Sequence, residues 1–203
     1  MSRSGLRATP LRADLGAIAD LIQPGEKVLD LGCGDGSLLR HLMDTRHIVG
    51  RGVEIAEAKV LTCVHNGVTV RQGDLHEELR DYPENSFDTV ILSYGLPYLN
   101  DPAFIVTNML RVGQRAIVSF PNWGHWRCRL GLLLAGQMPT APGDPQAWDE
   151  APRARGLTIA DFTTFCAAHQ VRIATATFLQ GARRVPDRFD TNLRATWAVF
   201  ELR

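Results

Sequence analysis

The sequence predicts a three-layer α/β sandwich: a mostly parallel seven-stranded sheet with helices on both faces and an antiparallel last strand. Three observations carry this expectation. Short apolar runs alternate with segments of helical period along most of the chain, which is the pattern of repeated βαβ units. A glycine-rich turn lies between the first apolar run and the helix that follows it. The last two apolar runs are joined by a loop, not a helix, and so should pair antiparallel.

The elements follow in order. Residues 1–9 are polar and read as a loose terminus. Leu11, Leu15, Ile18, Ala19 and Ile22 recur at helical spacing, and Gln23-Pro24-Gly25 stops that helix. Lys27–Leu31 is a short run suited to a buried parallel strand. Ser37–Met43 is helical, 49–55 is a strand, 56–65 a helix closed by Asn66-Gly67, and 68–72 a strand. Residues 75–86 are polar and carry a turn at Tyr82-Pro83-Glu84-Asn85. Phe87–Ser93 is a nearly unbroken apolar strand. Pro102–Val112 has an apolar helical face of Phe104, Ile105, Met109 and Val112, and 116–120 is a strand. After an irregular stretch, Thr158 caps a helix running to His169, with Asp161 three residues on as in a capping box. Residues 171–179 and 196–202 are the last two strands, with 180–192 as the loop between them.

Size and charge bound the function. The 203 residues, 45% hydrophobic, suffice for one sizeable core and are too few for two ordinary domains, so one domain over 1–203 is expected. Lys+Arg and Asp+Glu both total 22, so no broad positive field draws nucleic acid or an acidic membrane. The longest apolar stretch, 130–135, is far too short to span a bilayer, and 1–10 lacks the apolar segment of a signal peptide. Cys33, Cys63, Cys128 and Cys166 form no C-x-x-C pair, so no metal site is expected and reduced thiols in a cytoplasmic protein are.

The chemistry concentrates at Val28-Leu29-Asp30-Leu31-Gly32-Cys33-Gly34-Asp35-Gly36. Glycines let the backbone turn sharply and let a ligand approach, and free amides at a helix start receive anionic groups. A dinucleotide site would need G-x-G-x-x-G, but Ser37 stands where the third glycine belongs. An acid, Asp30, instead precedes the first glycine by two residues. Glu54 closes the second strand roughly 20 residues past the turn, where a carboxylate can accept both hydroxyls of a ribose. Asp74 follows the third strand. Any one of these acids alone would read as a surface carboxylate; all three at strand ends, in this order, set the pattern apart.

The turn with its preceding acid resembles the first motif of class I methyltransferases, a Rossmann-like fold. The resemblance implies binding of S-adenosylmethionine or S-adenosylhomocysteine, with Asp30 near the ammonium of the methionine part, Glu54 on the ribose and Asp74 on the adenine amino group. It implies a cofactor-binding set of Asp30, Leu31, Gly32, Cys33, Gly34, Gly36, Glu54, Ile55, Asp74, Leu75, Ser93 and Tyr94. Tyr94 and Tyr98 read equally as lining or as packing residues.

A closer resemblance rests on Ser119-Phe120-Pro121-Asn122-Trp123-Gly124-His125-Trp126-Arg127-Cys128-Arg129-Leu130, continuing to Gly136-Gln137-Met138-Pro139. Leu11–Leu15, Gly50–Ile55, Asp81-Tyr82-Pro83, Phe87–Ser93 and Leu157–Phe162 add to it. Over roughly residues 10 to 200 the chain is similar to the MetW family of bacterial methionine-biosynthesis proteins. Such a resemblance implies a methyltransferase-like protein that binds and activates a homoserine O-acyltransferase of the MetX type; a homodimer is also compatible with the sequence. The chain departs from the family's usual residues at Tyr94-Gly95-Leu96-Pro97 and at Ala151, Arg153 and Gly156. Three functions stay open: a cofactor-binding regulatory partner, a methyltransferase acting on a small molecule, and a fold that has lost its cofactor. Intact Asp30, Gly32, Gly34, Glu54 and Asp74 argue against the last.

Residues 121–157 interrupt the alternation with five prolines and three tryptophans. Trp126, Leu130, Leu133 and Leu134 would share one helical face. That face reads as a lid packed on its own domain or as a surface for a protein partner, since Trp and Arg are favoured interface anchors. His125 reads either as a packing and hydrogen-bonding residue or as a general base. Methyl transfer needs in-line placement and a dry pocket more than a base, so no catalytic residue is assigned.

Overall fold

A computed structural model describes residues 11–136, 138–140 and 155–203. The expectations for 1–10 and for Ala151 and Arg153 fall outside these residues. Eight strands form one sheet: β1 (Lys27–Leu31), β2 (Val49–Glu54), β3 (Val70–Gln72), β4 (Phe87–Ser93), β5 (Gly113–Pro121), β6 (Ile173–Gln180), β7 (Arg183–Val185) and β8 (Trp197–Leu202). Their order across the sheet is β3-β2-β1-β4-β5-β8-β6-β7. β1 pairs parallel with both β2 and β4, and β4 with β5. β8 is inserted antiparallel between β5 and β6, as the final run was expected to be. The helices are α1 (Ala13–Leu21), α2 (Ser37–Arg46), α3 (Glu57–His65), α4 (Leu75–Asp81), α5 (Pro102–Val112), α6 (Trp126–Ala135), α7 (Ile159–Ala168) and α8 (Thr191–Arg194).

Three elements differ from the sequence reading. The sheet has eight strands, not seven, because Arg183–Val185 turns back on β6 as a hairpin within the expected loop. The polar segment after Asp74 contains α4, a helix capped by the Asp74 side chain, which accepts the His76 amide at 2.8 Å. The loop before β8 contains the single turn of α8.

The central strands β1, β4, β5 and β8 are buried on both faces, so they are apolar runs whose alternate residues serve two cores. Leu29, Leu31, Val90, Leu92, Val118 and Phe120 face α4, α5 and α7, where they meet Leu79, Met109 and Phe162. Val28, Ile91, Ile117, Val199 and Trp197 face α1, α2 and α3, where they meet Ile18, Leu39 and Cys63. Parity then sets the site. Asp30, Ser93 and Ser119 share the face of Val28, Ile91 and Ile117, one step nearer the carboxyl ends of the strands. The strand order reverses between β1 and β4, which opens a crevice outside those ends.

Candidate functional site

The turn after β1 is closed by the amides of Gly32 and Cys33, which both donate to the Val53 carbonyl of β2, at 2.8 and 3.1 Å. Gly32 and Gly34 take φ of +67° and +59°, a region costly for any residue with a Cβ. A Cβ at either position would point into open space, so these glycines serve the backbone path and leave the crevice clear. Glu54, buried at the end of β2, reaches back: its Oε2 accepts the Gly34 amide and its Oε1 the Ala56 amide, each at 2.9 Å.

Asp30 is only 2% exposed, and its Oδ1 has no hydrogen-bond partner among the described residues. Burial pushes its carboxyl up to about 7, against the pull of the nearby Arg12 guanidinium and with a further push from Glu54. A buried acceptor left unsatisfied is costly, and a cationic donor aimed at it would relieve that cost. The residues therefore fit the ammonium of a methionine-derived ligand. Ile55, 65% exposed beside Glu54, supplies an apolar surface suited to a nucleoside ring. Asp74 stands at the exposed end of the neighbouring β3 as the cap of α4, whose first residue, Leu75, is half-buried. Glu54 and Gln72 are paired in register, which brings the acid two residues past Gln72 to the same edge as Glu54.

Leu31 and Cys33 are buried under the turn. The Cys33 sulfur lies 3.8 Å from that of Cys63 on α3, and burial pushes both thiols up, which makes them packing groups and not nucleophiles. Ser93 is the last residue of β4 and Tyr94 follows it. Tyr94 holds a left-handed backbone, φ +63°, and its ring leans on Trp197 and on Tyr98, whose hydroxyl lies 3.0 Å from its own.

Four residues at this edge are not among the predicted site residues: Arg12, Asp14, Ser119 and Trp197. Asp14 is fully buried and accepts from Ser119 Oγ at 2.7 Å, from Ser93 Oγ at 3.2 Å and from Arg12. One signal for it was available: Asp14 lies four residues before Ile18 and three after Leu11, inside the apolar stripe of α1, where a lone carboxylate requires partners.

The chain matches the family described as "Methionine biosynthesis protein MetW" over residues 12–202. It belongs to the MetW family. It is 35% identical over 201 residues to the bifunctional methionine biosynthesis protein MetXA/MetW of Rhodopirellula baltica, covering 93% of this chain and 32% of that protein. The chain thus spans about a third of that relative's length. Among solved structures it is similar to a SAM dependent methyltransferase from Archaeoglobus fulgidus, with TM-score 0.69 and 15% identity over 94% of this chain and 91% of that one. It is likewise similar to a magnesium protoporphyrin IX methyltransferase from Synechocystis with bound SAH, with TM-score 0.63 and 18% identity over 93% and 81%. The fold is that of the class I methyltransferases, as the sequence predicted.

The segment that carried the MetW resemblance has a physical centre in Asn122. Its amide donates to the carbonyls of Asn192 and Ala195, and its Oδ1 accepts from the amides of Gly124 and Ile159. One buried side chain thereby ties the end of β5 to α7 and α8. His125, three residues on, caps α6: its Nδ1 accepts the Arg127 amide at 3.2 Å. Burial and Arg127 push its pKa down, so a neutral acceptor is the stable form. The structure supports the capping role over the general base. On α6 only Cys128 is buried; Trp126, Leu130, Leu132, Leu133 and Leu134 are exposed, Leu133 by 77%. No helix among the described residues is long and apolar enough to cross a membrane.

Proposed function

We propose that the protein binds S-adenosylmethionine or S-adenosylhomocysteine at the glycine turn and acts in methionine biosynthesis by binding and activating a homoserine O-acyltransferase of the MetX type. The observation that carries the partner half is the Rhodopirellula baltica relative, in which a MetW segment 35% identical to this chain shares one polypeptide with a MetXA segment. Fusion holds two modules at high effective concentration, which benefits pairs that work in contact. The exposed apolar side chains of α6, with Arg127 stacked on Trp126, give such a partner a surface of the right chemistry. The cofactor half rests on the orphaned Asp30 oxygen, the prepositioned Glu54 and the open glycine cradle.

In this reading Asp30 holds the ligand's ammonium, Glu54 its ribose hydroxyls and Asp74 its adenine edge, while Ile55 packs on the ring. A ligand that binds the activating conformation better than the resting one raises the partner's rate in proportion to that difference. The test is co-purification with the acyltransferase and assay of its rate with and without this chain and with S-adenosylhomocysteine. Stable association with a rise in rate is the expected result. Failure to associate at tens of micromolar concentrations of each protein would remove the partner half.

A second reading, a methyltransferase on a small molecule, is favoured by a cavity of about 180 Å³ lined by Leu96, Pro97, Leu99, Leu157, Phe162 and Phe165. Its wall includes Leu96 and Pro97, two and three residues past Tyr94, and also Arg155 and Asp161, so an acceptor with an apolar body and a polar end would suit it. When bound, S-adenosylmethionine supplies an electrophilic methyl group; the chain would contribute orientation and exclusion of water. Methyl release with a panel of small acceptors distinguishes this reading from the first.

A further inference from the structure

The cavity of about 180 Å³ beside α7 belongs to the opposite face of the sheet from Asp30. It is lined by the buried Leu96 and Phe162, which pack in the core of Leu31 and Leu92, together with the half-buried Leu99 and Phe165. The single 3₁₀ turn Leu96–Tyr98 separates it from the crevice: Leu96 and Pro97 wall the cavity, while the Tyr98 hydroxyl meets that of Tyr94. The segment that closes the cavity is fixed in place. The Arg155 amide donates to the Pro97 carbonyl at 2.9 Å, the Trp123 amide donates to the Leu157 carbonyl at 3.0 Å, and the Ile159 amide donates to the buried Asn122 Oδ1. Pinned at three points, residues 155–159 make a preformed wall of the kind that small-molecule sites have.

Two side chains of opposite charge line this apolar space, Arg155 and Asp161. Among the described residues the Arg155 guanidinium has no hydrogen-bond or ion-pair partner. Asp161 spends its Oδ2 on the Thr158 amide and hydroxyl, at 3.1 and 2.7 Å, and its Oδ1 has no partner among the described residues. Both groups therefore keep hydrogen-bonding capacity for a ligand that carries one carboxylate and one ammonium. The volume is well below the roughly 300–1,000 Å³ of sites for drug-sized molecules, so the apolar part of that ligand is a short chain. The rings of Phe162 and Phe165, 6.0 Å apart, suit an unbranched chain and a thioether in particular.

We propose that this cavity binds a free α-amino acid with an unbranched apolar side chain, of the methionine or norleucine type. Arg155 takes its carboxylate, Asp161 its ammonium, and the side chain lies against Phe162 and Phe165. The proposal gives a ligand class to the cavity invoked in the second reading. It rests on the cavity alone and needs neither a cofactor at the glycine turn nor a protein partner. Arg155 and Asp161 are both exposed, so water competes for them. Their pairing with the ligand sets selectivity more than strength.

The test is titration calorimetry at neutral pH with L-methionine, L-norleucine, hexanoate and pentylamine. Hexanoate is norleucine without the ammonium, and pentylamine is norleucine without the carboxylate. The wild type should bind both amino acids with a Kd of roughly 0.1–1 mM, and each singly charged analogue about tenfold more weakly. Arg155→Gln, a change at the surface, should weaken L-norleucine about tenfold and leave pentylamine within about twofold. An amino acid has a rival place at the glycine turn, so the same titration is run on Asp30→Asn, which should bind L-norleucine as the wild type does. No binding of either amino acid at about 10 mM, or an analogue that binds as well as L-norleucine, overturns the assignment. So does affinity unchanged in Arg155→Gln or lost in Asp30→Asn. The binding of S-adenosylhomocysteine and of the acyltransferase is measured apart from these titrations, so the assignment and the readings above stand or fall separately.

Discussion

Glu54 and Gly34 are joined by a 2.9 Å hydrogen bond in which the carboxylate at the end of β2 accepts the backbone amide of the glycine turn. The Ala56 amide holds the other carboxylate oxygen at the same distance. Each oxygen keeps a second lone pair, so the backbone prepositions a bidentate acceptor for a ribose diol. Glu54→Ala should weaken S-adenosylhomocysteine roughly 10- to 100-fold. Because it also orphans two amides, it should cost about 1–3 kcal/mol of stability. Calorimetry and denaturant unfolding measure the two effects separately; intact affinity would contradict the assignment of Glu54 to the ligand.

Asp30 makes the site sensitive to pH. Its folded-state carboxyl is raised to about 7 from an ordinary 3.8, chiefly by burial. Between those values the folded state binds the extra proton, so stability attributable to Asp30 is full below about 4 and is lost as pH rises through about 7. Asp30→Asn should remove that loss, and near pH 8 it should unfold at higher denaturant than wild type. Binding runs the opposite way, because an ammonium needs the ionised carboxylate. Wild-type affinity for S-adenosylhomocysteine should rise from pH 6 to pH 8, and the variant should bind at least about tenfold more weakly with a flatter profile. A variant that keeps the wild-type pH slope would assign the titration to another group.

The sequence made the strands and the glycine turn legible because their signals are local. A strand buried on both faces is an apolar run, and a turn that needs positive φ shows its glycines. Helix α4 was missed because only Leu75 and Leu79 mark its inner face among charged neighbours, and because Asp74 was read for a ligand and not also as its cap. Strand β7 is three residues, two of them arginine, and exists through its pairing with β6. The cluster of Arg12, Asp14, Ser93 and Ser119 joins positions 81 and 105 residues apart, a proximity no periodicity encodes. Parity along the strands could have placed Asp30, Ser93 and Ser119 on one face; only the packing of α1 brings Arg12 to them.

Gly52 and Gly34 should respond differently to a methyl group. Gly52 lies buried in β2 opposite Asp30, and a Cβ there would collide with the Cys33 side chain. Gly52→Ala should displace Cys33 and the turn above it, costing about 1–3 kcal/mol of stability along with ligand affinity. At Gly34 a Cβ meets open space but a φ of +59°. Gly34→Ala should therefore cost about 1 kcal/mol of stability while its methyl intrudes on the ligand's approach. Unfolding midpoints lower for Gly52→Ala than for Gly34→Ala, with both weakened in binding, are the expected pair of results.

Asn122 tests whether the segment that identifies the family is a structural tie. Its side chain donates twice and accepts twice in a fully buried setting, with no polar atom left over. Asn122→Ala strands two carbonyls and two amides and should cost about 2–4 kcal/mol, or roughly 5–15 °C in Tm for a chain of this size. Asn122→Asp preserves the size and both accepting bonds but turns the donating end into an acceptor facing the carbonyls of Asn192 and Ala195. A buried carboxylate against two carbonyl oxygens is worse than a cavity, so the Asp variant should melt no higher than the Ala variant at neutral pH and recover part of the loss on acidification. If the Asp variant instead melts near wild type, the two donated bonds hold little, and the coupling of β5 to α8 must be carried by the apolar contacts around Trp197.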